Sequence, residues 1–329
     1  MNEGKLFRKL RKDRGFSLEQ VSDEINSVSF ISKFEKGQSN ISFLRFERLL
    51  QNVNVSMEEF LYLRALEDNP FLNDDIKVLR GYLTSDFYYY LARLLNINKC
   101  SEKNEFEKGI VEMKLVKEEM DHAINWQRFV GIFCDICIVM YESNILQRDD
   151  ANSGETAEAL MKEINYLSKP VVSYLYKVED WGVFEVALFK LFLFTFKVEQ
   201  INQLLPIAIS RTQKESEFHV MATFKIEIIF SSFSYFANFR HKKWAREALE
   251  MARDLLRDEK DLMNSTMLLF YEGWYHIIFE EKDKGIEKCY QAISIFNILD
   301  QPTFQKRFKL FLENILKNKE EPDNYFMFV

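Results

Sequence analysis

The sequence predicts an all-α protein. Only 10 Gly and 5 Pro occur in 329 residues, fewer turn formers than sheet-rich chains of this length use. Apolar residues recur at three- and four-residue spacing in segments that open on capping residues. Hydrophobic residues make up 47 % of the chain, with 31 Phe, so there is ample material for a core and the chain is not disordered. The length allows one large domain or two unequal ones.

The first helix carries Leu6, Phe7 and Leu10 as its apolar stripe, and Gly15 stops it. The stretch Ser17–Ile25 follows. Ser17 with Gln20 three residues on forms a capping box, and Leu18, Val21 and Ile25 form the apolar face. Ser22 is small, as expected where two helices cross closely. After a break at Asn26-Ser27, a third helix turns Ile31 and Phe34 inward and ends at Gly37, a left-handed cap. A fourth helix follows Ser42, with Leu44, Leu49 and Leu50 apolar. A fifth starts at Ser56, with Glu59 completing another capping box.

Charge is unevenly placed. The whole chain has net charge −7. Residues 1–66 nevertheless hold 11 Lys/Arg against 9 Asp/Glu, and Lys5–Arg14 holds six basic residues and one acid. An acidic body with a basic first helix implies one anionic contact at the N-terminal end; the alternative is a solvated helix face.

Short helices with a tight turn between the second and third make a helix-turn-helix DNA-binding domain over residues 1–66. It resembles the helix-turn-helix of phage repressors and their bacterial relatives, through "LRKDRGFSLEQVSDEI" followed by "SFISKFEKG". The third helix is expected in the major groove. Val28, Ser29, Phe30, Ser32 and Lys33 then face outward or flank it. Ser29 and Ser32 suit bases or phosphates, and Phe30 suits a thymine methyl. Lys33 and Lys36 suit phosphates, and Arg8, Lys12 and Arg14 add backbone contacts. The resemblance implies a structural ion pair between Arg11 and Glu35.

The stretch Ile31–Leu63 is similar to the Rgg/GadR/MutR group of Gram-positive regulators. The matching positions are Ser32-Lys33-Phe34-Glu35-Lys36-Gly37, Ile41-Ser42 and Glu58-Glu59-Phe60. Downstream, Trp181–Phe189 and Phe270–Leu299 look like later segments of the same group. The resemblance implies a homodimeric, cytoplasmic regulator that senses a short secreted and re-imported signalling peptide. The chain departs from the group in three ways. Lys stands at positions 33 and 36 where Arg is common, which removes bidentate contacts. Phe43 stands where some members have Cys, which excludes an inter-subunit disulfide there. Leu191 aligns loosely with a ligand-pocket Asn.

Residues 67–75, rich in acids and Asn with Pro70, read as a linker. Residues 76–318 read as a sensor and dimerisation domain, a right-handed superhelix of degenerate tetratricopeptide-like helical repeats. Gly273, Gly285 and Ala292, spaced 12 and 7 apart, sit where such paired helices cross closely. Stacked pairs offer a concave face suited to an extended peptide. Polar residues interrupting apolar helices are the peptide-binding candidates: Asn125, Arg128, Lys190, Lys225 and Asn238. Bonding within the repeats, or exposure on their outer face, is the better account of any single one of them. The tail, residues 319–329, ends in five apolar residues and is expected to pack on the repeats or on a partner subunit.

No enzyme, metal site or cofactor is expected. Cys134-x-x-Cys137 lacks a second ligand pair and lies on an apolar helix, which suits buried thiols better than zinc. Asp149–Glu155 misses the calcium-loop register. The four His have no catalytic neighbourhood, and no phosphate-binding glycine loop occurs. Lys5–Arg14 leads into no apolar run, so no signal peptide is expected, and Val183–Phe196 is too short and too charged to span a bilayer. Four scattered Cys fit a reducing, cytoplasmic setting. The rival function is a protein-interaction scaffold tethered to DNA and indifferent to peptides.

Overall fold

The computed structural model describes residues 3–68, 82–149, 157–212, 219–257 and 261–321. Among them the chain forms seventeen α-helices and no strand. It divides into two compact units, Met1–Cys134 and Asp135–Val329. Residues 69–75 of the expected linker, 150–155 of the acidic loop and 322–329 of the tail lie outside the described residues.

The first unit begins with α1 (Glu3–Asp13), α2 (Leu18–Val21), α3 (Val28–Glu35), α4 (Phe43–Asn52) and α5 (Met57–Asp68). Helix α1 ends before Gly15, whose φ of 76° suits a residue without Cβ. Ser17 and Gln20 close a reciprocal capping box on α2. Gly37, φ 72°, ends α3. Its N–H reaches Phe34 O at 2.9 Å and that of Gln38 reaches Lys33 O at 2.8 Å, the paired bonds of a Schellman cap. One core joins all five helices: Phe7, Phe34, Phe46 and Phe60 run as a ladder with ring centroids 6.2, 5.8 and 4.7 Å apart. Edge-to-face contact at such spacing adds to the burial of each ring.

Two expectations fail here. Helix α2 stops at Val21, and Ile25 is 53 % exposed instead of lying on an apolar face. The cause is Asp23, whose Oδ1 accepts the N–H of Ile25 at 2.9 Å and of Asn26 at 2.7 Å. That turn competes with helical bonding. Ser22 is accordingly the C-cap of α2 rather than a crossing point. On α4, Leu44 points away from the core, 75 % exposed. Phe46, Leu49 and Leu50 face inward instead, because Phe46 completes the aromatic ladder.

The first unit continues with α6 (Ser85–Glu102), α7 (Phe106–Glu118) and the start of α8 (Asn125–Asp149). Arg93 Nη1 donates to both oxygens of Glu119 at 2.8 and 2.9 Å, and the Tyr90 hydroxyl donates to the same carboxylate at 2.9 Å. Burial, then Glu119, pushes the Tyr90 phenol up to about 12. Helix α8 is the one helix among the described residues long and apolar enough to cross a membrane by length and composition; half of its apolar window is buried within the protein.

The second unit holds α9 (Ala157–Leu167), α10 (Lys169–Lys177), α11 (Val183–Phe192), α12 (Val198–Arg211), α13 (His219–Asn238), α14 (Lys242–Leu256), α15 (Leu262–Phe279), α16 (Lys282–Ile298) and α17 (Pro302–Glu320). The most extensive packing of neighbouring helices is of α13 with α14 and of α15 with α16, and α11 packs on α13. Over its described side chains α13 is buried almost all round, as an interior helix must be. Its Ser232 and Ser234 hydroxyls donate back to Ile228 O and Phe230 O, so neither is left bare in that core.

Helices α15 and α16 cross where the spacing of small residues predicts. A Cβ on Gly285 would lie 2.6 Å from Gly273 O and from Ile277 N; one on Gly273 would lie 2.7 Å from Gly285 O. The two backbones touch, and Ala292 is buried one step further on. An aromatic seam continues from this pair: Phe230 stacks on Tyr271 at 4.4 Å, and Phe308 of α17 meets Phe270 and Phe296 at 4.8 and 4.9 Å.

Candidate nucleic-acid interface

Helix α3 is held from behind by an ion pair. Arg11 Nε donates to Glu35 Oε1 at 2.6 Å and Nη2 to Oε2 at 2.9 Å, while Nη1 donates to Phe16 O at 2.6 Å. Both side chains are under 10 % exposed. The fork satisfies most of the donors that burial would otherwise strand. The hydrogen bond to Glu35 raises the Arg11 guanidinium above its ordinary value against the opposing effect of burial. Arg8 sits at the rim of this pair, 3.9 Å from Glu35 Oε2 and half exposed.

The turn before α3 is clamped by α4. Asp23 Oδ2 accepts Asn52 Nδ2 at 2.9 Å and Arg48 Nε at 3.2 Å. Burial alone would raise the Asp23 carboxyl. The bonds from Asn52, Asn26, Ile25 and Arg48 outweigh it and hold the group at about 2. Asn52 also donates to Val21 O at 3.0 Å, and Asn26 Nδ2 to Arg45 O at 3.0 Å. Ser27 caps α3 by accepting from Phe30 N.

With Ile31, Phe34 and Glu35 buried, helical geometry puts Ser29, Ser32, Lys33 and Lys36 on the opposite side of α3. Ser29, Lys33 and Lys36 are exposed; Val28, Phe30 and Ser32 are half-buried. The acid of this helix, Glu35, is turned inward and neutralised, so its outer face is basic and hydroxylic. Phe30 lies on the flank nearest α4, where the guanidinium carbon of Arg45 sits 3.9 Å from its ring centre. Lys12 is exposed in the last turn of α1. Arg14 is engaged within the protein, donating to Glu59 at 2.6 Å. Sequence reasoning passed over Asp23, Arg45, Arg48 and Asn52. The signal was an Asp three residues before an Asn at the expected turn, facing basic and amide side chains at three- and four-residue spacing on α4.

The peptide candidates are scattered. Asn125 and Arg128 lie at the start of α8, in the first unit, and are exposed. In the second unit, Lys190 Nζ donates to Glu227 at 2.7 Å, joining α11 to α13. Lys225 and Asn238 are buried on α13, roughly 20 Å apart along the axis. Lys225 and Glu227, two residues apart, point to different sides of that helix. Leu191 is half-buried on α11.

The segment from Trp181 is built as a joint. Trp181 is fully buried and Gly182 is the N-cap of α11. Glu185 accepts the N–H of Gly182 at 2.9 Å and the Tyr174 hydroxyl at 2.6 Å. Burial and then Glu185 push the Tyr174 phenol far above its usual range. Arg211, at the end of α12, donates to Leu175 O, Tyr176 O and Val178 O. It covers carbonyls that the end of α10 leaves open.

Comparison with known proteins agrees with this architecture. Residues 7–60 match a helix-turn-helix family model, and residues 138–310 match the model of the HTH-type transcriptional regulator Rgg, C-terminal domain. The fold is similar to that of the SHP pheromone receptor Rgg2 of Streptococcus dysgalactiae, with TM-score 0.63, 19 % identity, and 95 % of this chain and 99 % of that chain covered. It is also similar to a putative transcriptional regulator from Listeria monocytogenes EGD-e, with TM-score 0.70, 17 % identity and coverage of 97 % and 98 %. A third likeness is to PrgX in its complex with cCF10, with TM-score 0.62, 13 % identity and coverage of 95 % and 99 %. The C-terminal match alone takes in more than half of the residues; the chain belongs to the Rgg family of helix-turn-helix transcriptional regulators, and it is not an enzyme.

Proposed function

We propose that this regulator binds operator DNA as a homodimer in the cytoplasm and is controlled by a short signalling peptide bound in the concave face of its helical repeats. The outer face of α3 carries the DNA reading. Ser29, Ser32, Lys33 and Lys36 share one side, with the acid of that helix buried against Arg11. Lysines of this kind neutralise phosphates, and hydroxyls near the helix start reach base edges. Arg8 and Lys12 extend the basic surface from α1. Two such helices one DNA turn apart read a pseudo-palindrome, which asks for a dimer. The exposed neighbours Phe43 and Leu44 support an apolar contact in this domain. We place the DNA-binding domain at residues 1–66 and the sensor at 76–318.

The peptide reading rests on the likeness to a pheromone receptor and to PrgX in complex with cCF10 and on polar side chains set into apolar helices. Lys190, Lys225 and Asn238 are the candidates within the second unit. A ligand that binds two conformations unequally shifts the population of DNA-competent dimers.

Binding should be measured to duplexes from upstream of the protein's own gene, with and without short peptides encoded nearby. Specific binding that one peptide changes is the expected result. Specific binding indifferent to all of them removes the peptide and leaves a DNA-tethered interaction scaffold. Lys33→Ala should weaken binding at every duplex and flatten the salt dependence by about one unit. A loss at selected sequences only would mean that Lys33 reads a base.

A further inference from the structure

Arg45 differs from the other arginines of α1–α5. Arg8, Arg11, Arg14, Arg48 and Arg64 each have a carboxylate within 4.0 Å, on Glu35, Glu35, Glu59, Asp23 and Glu3 respectively. Arg45 has none among the described residues. Its guanidinium lies 3.9 Å over the ring of Phe30, and Nη2 donates to Ile25 O. Nε and Nη1 make no bond within the described protein. The side chain is half-buried, so its long stem is already ordered while its positive charge stays uncompensated.

In the free protein the open edge of the guanidinium is left to solvent. A purely structural arginine fills its fork with carboxylate or carbonyl oxygens, as Arg11 does. Here one edge of the fork is used to fix the plane and the other is left open. The plane is also fixed from its face by an aromatic ring, a cation–π contact. Both anchors belong to the recognition element: Ile25 is in the turn before α3 and Phe30 is in its first turn, next to exposed Ser29. The open donors therefore sit beside the N-terminal end of α3, where DNA is expected.

We propose that Arg45 is a DNA phosphate contact held pre-aimed by Phe30 and the Ile25 carbonyl. Phe30 is then its platform rather than a reader of thymine methyls. The inference rests on α3 being the DNA-binding helix. An immobilised guanidinium loses little rotamer freedom on binding, and its fork matches a phosphate better than a lysine does.

The test uses the full chain and two duplexes, the region upstream of its own gene and an unrelated sequence, over a salt series. Arg45→Met keeps much of the stem and removes the charge. It should weaken binding to both duplexes about tenfold and flatten the salt slope by about one unit. Phe30→Leu keeps the guanidinium and removes the ring. It should weaken binding with Arg45 present and add no further loss to Arg45→Met. Circular dichroism and melting check that each variant folds. An unchanged slope in folded Arg45→Met, with only a lower melting temperature, would overturn the proposal. So would a loss confined to thymine-rich sites in Phe30→Leu that persists alongside Arg45→Met. Lys33→Ala separates the two levels. If it flattens the slope while Arg45→Met does not, only this inference falls. If wild-type protein binds neither duplex, the DNA-face reading itself falls.

Discussion

In α1–α5 helix α3 is fixed by side chains that reach across gaps. Arg11 spans to Glu35, and Asp23 gathers Asn52 and Arg48 from α4. In α15–α16 the helices are fixed by side chains that are missing, since Gly273 and Gly285 bring backbone against backbone. The short helices of the first region share one core, and directional bonds fix the turns between them. The long helices of the second have surface to spare, and their register follows from shape. The first arrangement is vulnerable to charge and pH, the second to volume.

The largest expected effect breaks the first arrangement. Glu35→Ala leaves Arg11 buried without its partner and should cost about 3–5 kcal/mol, read as loss of the helix-turn-helix transition in denaturant unfolding followed by circular dichroism. If Arg11→Met with Glu35→Leu restores the transition, the pair fixes geometry rather than stability. The matching insult to the second region is Gly285→Ala. Its Cβ would meet backbone atoms at 2.6 Å, and overpacking of this kind costs about 1–3 kcal/mol. An unchanged urea midpoint would show that the crossing can open without penalty.

Acid sharpens the contrast. Asp23 is held at about 2 in the folded chain, below its ordinary 3.8. Its stabilisation is complete above the unfolded value and is lost as pH falls from there through about 2. After screening at this partly open site, about 1–2 kcal/mol is at stake. Asp23→Asn should remove that part of the acid sensitivity, and a wild-type-like acid profile would contradict the clamp. The smallest effect is Ser17→Ala, about 0.5–1 kcal/mol from one exposed cap, measurable as a small fall in melting temperature.

Much of this was legible in residue order. The cap residues Ser17, Gly15 and Gly37, the inward pair Ile31 and Phe34, and the glycine spacing of α15–α16 all follow from local rules. The errors share a cause. Ile25 and Leu44 continue an apolar period and are nonetheless exposed, because a bond from Asp23 and a ring from Phe46 decide the local geometry instead. The role of Arg45 was hidden for a related reason: its spacing on α4 marks it as basic and outward, but nothing in its local sequence announces Phe30. The peptide candidates were chosen as polar breaks in apolar helices, and that signal does not separate a pocket from an internal ion pair such as Lys190–Glu227. Between α9 and α12, contacts such as Arg211 with the end of α10 join residues more than thirty apart, beyond any window of local periodicity.

The aromatic ladder of α1–α5 consists of phenylalanines, and the four tryptophans of the chain are Trp126, Trp181, Trp244 and Trp274. Indole emission therefore has no source in α1–α5. Trp181 and Trp274, both deeply buried, report on the second unit. A melting curve followed through tryptophan light would watch the second unit and stay blind to α1–α5. The Glu35→Ala protein could lose its helix-turn-helix fold with no tryptophan there to register it.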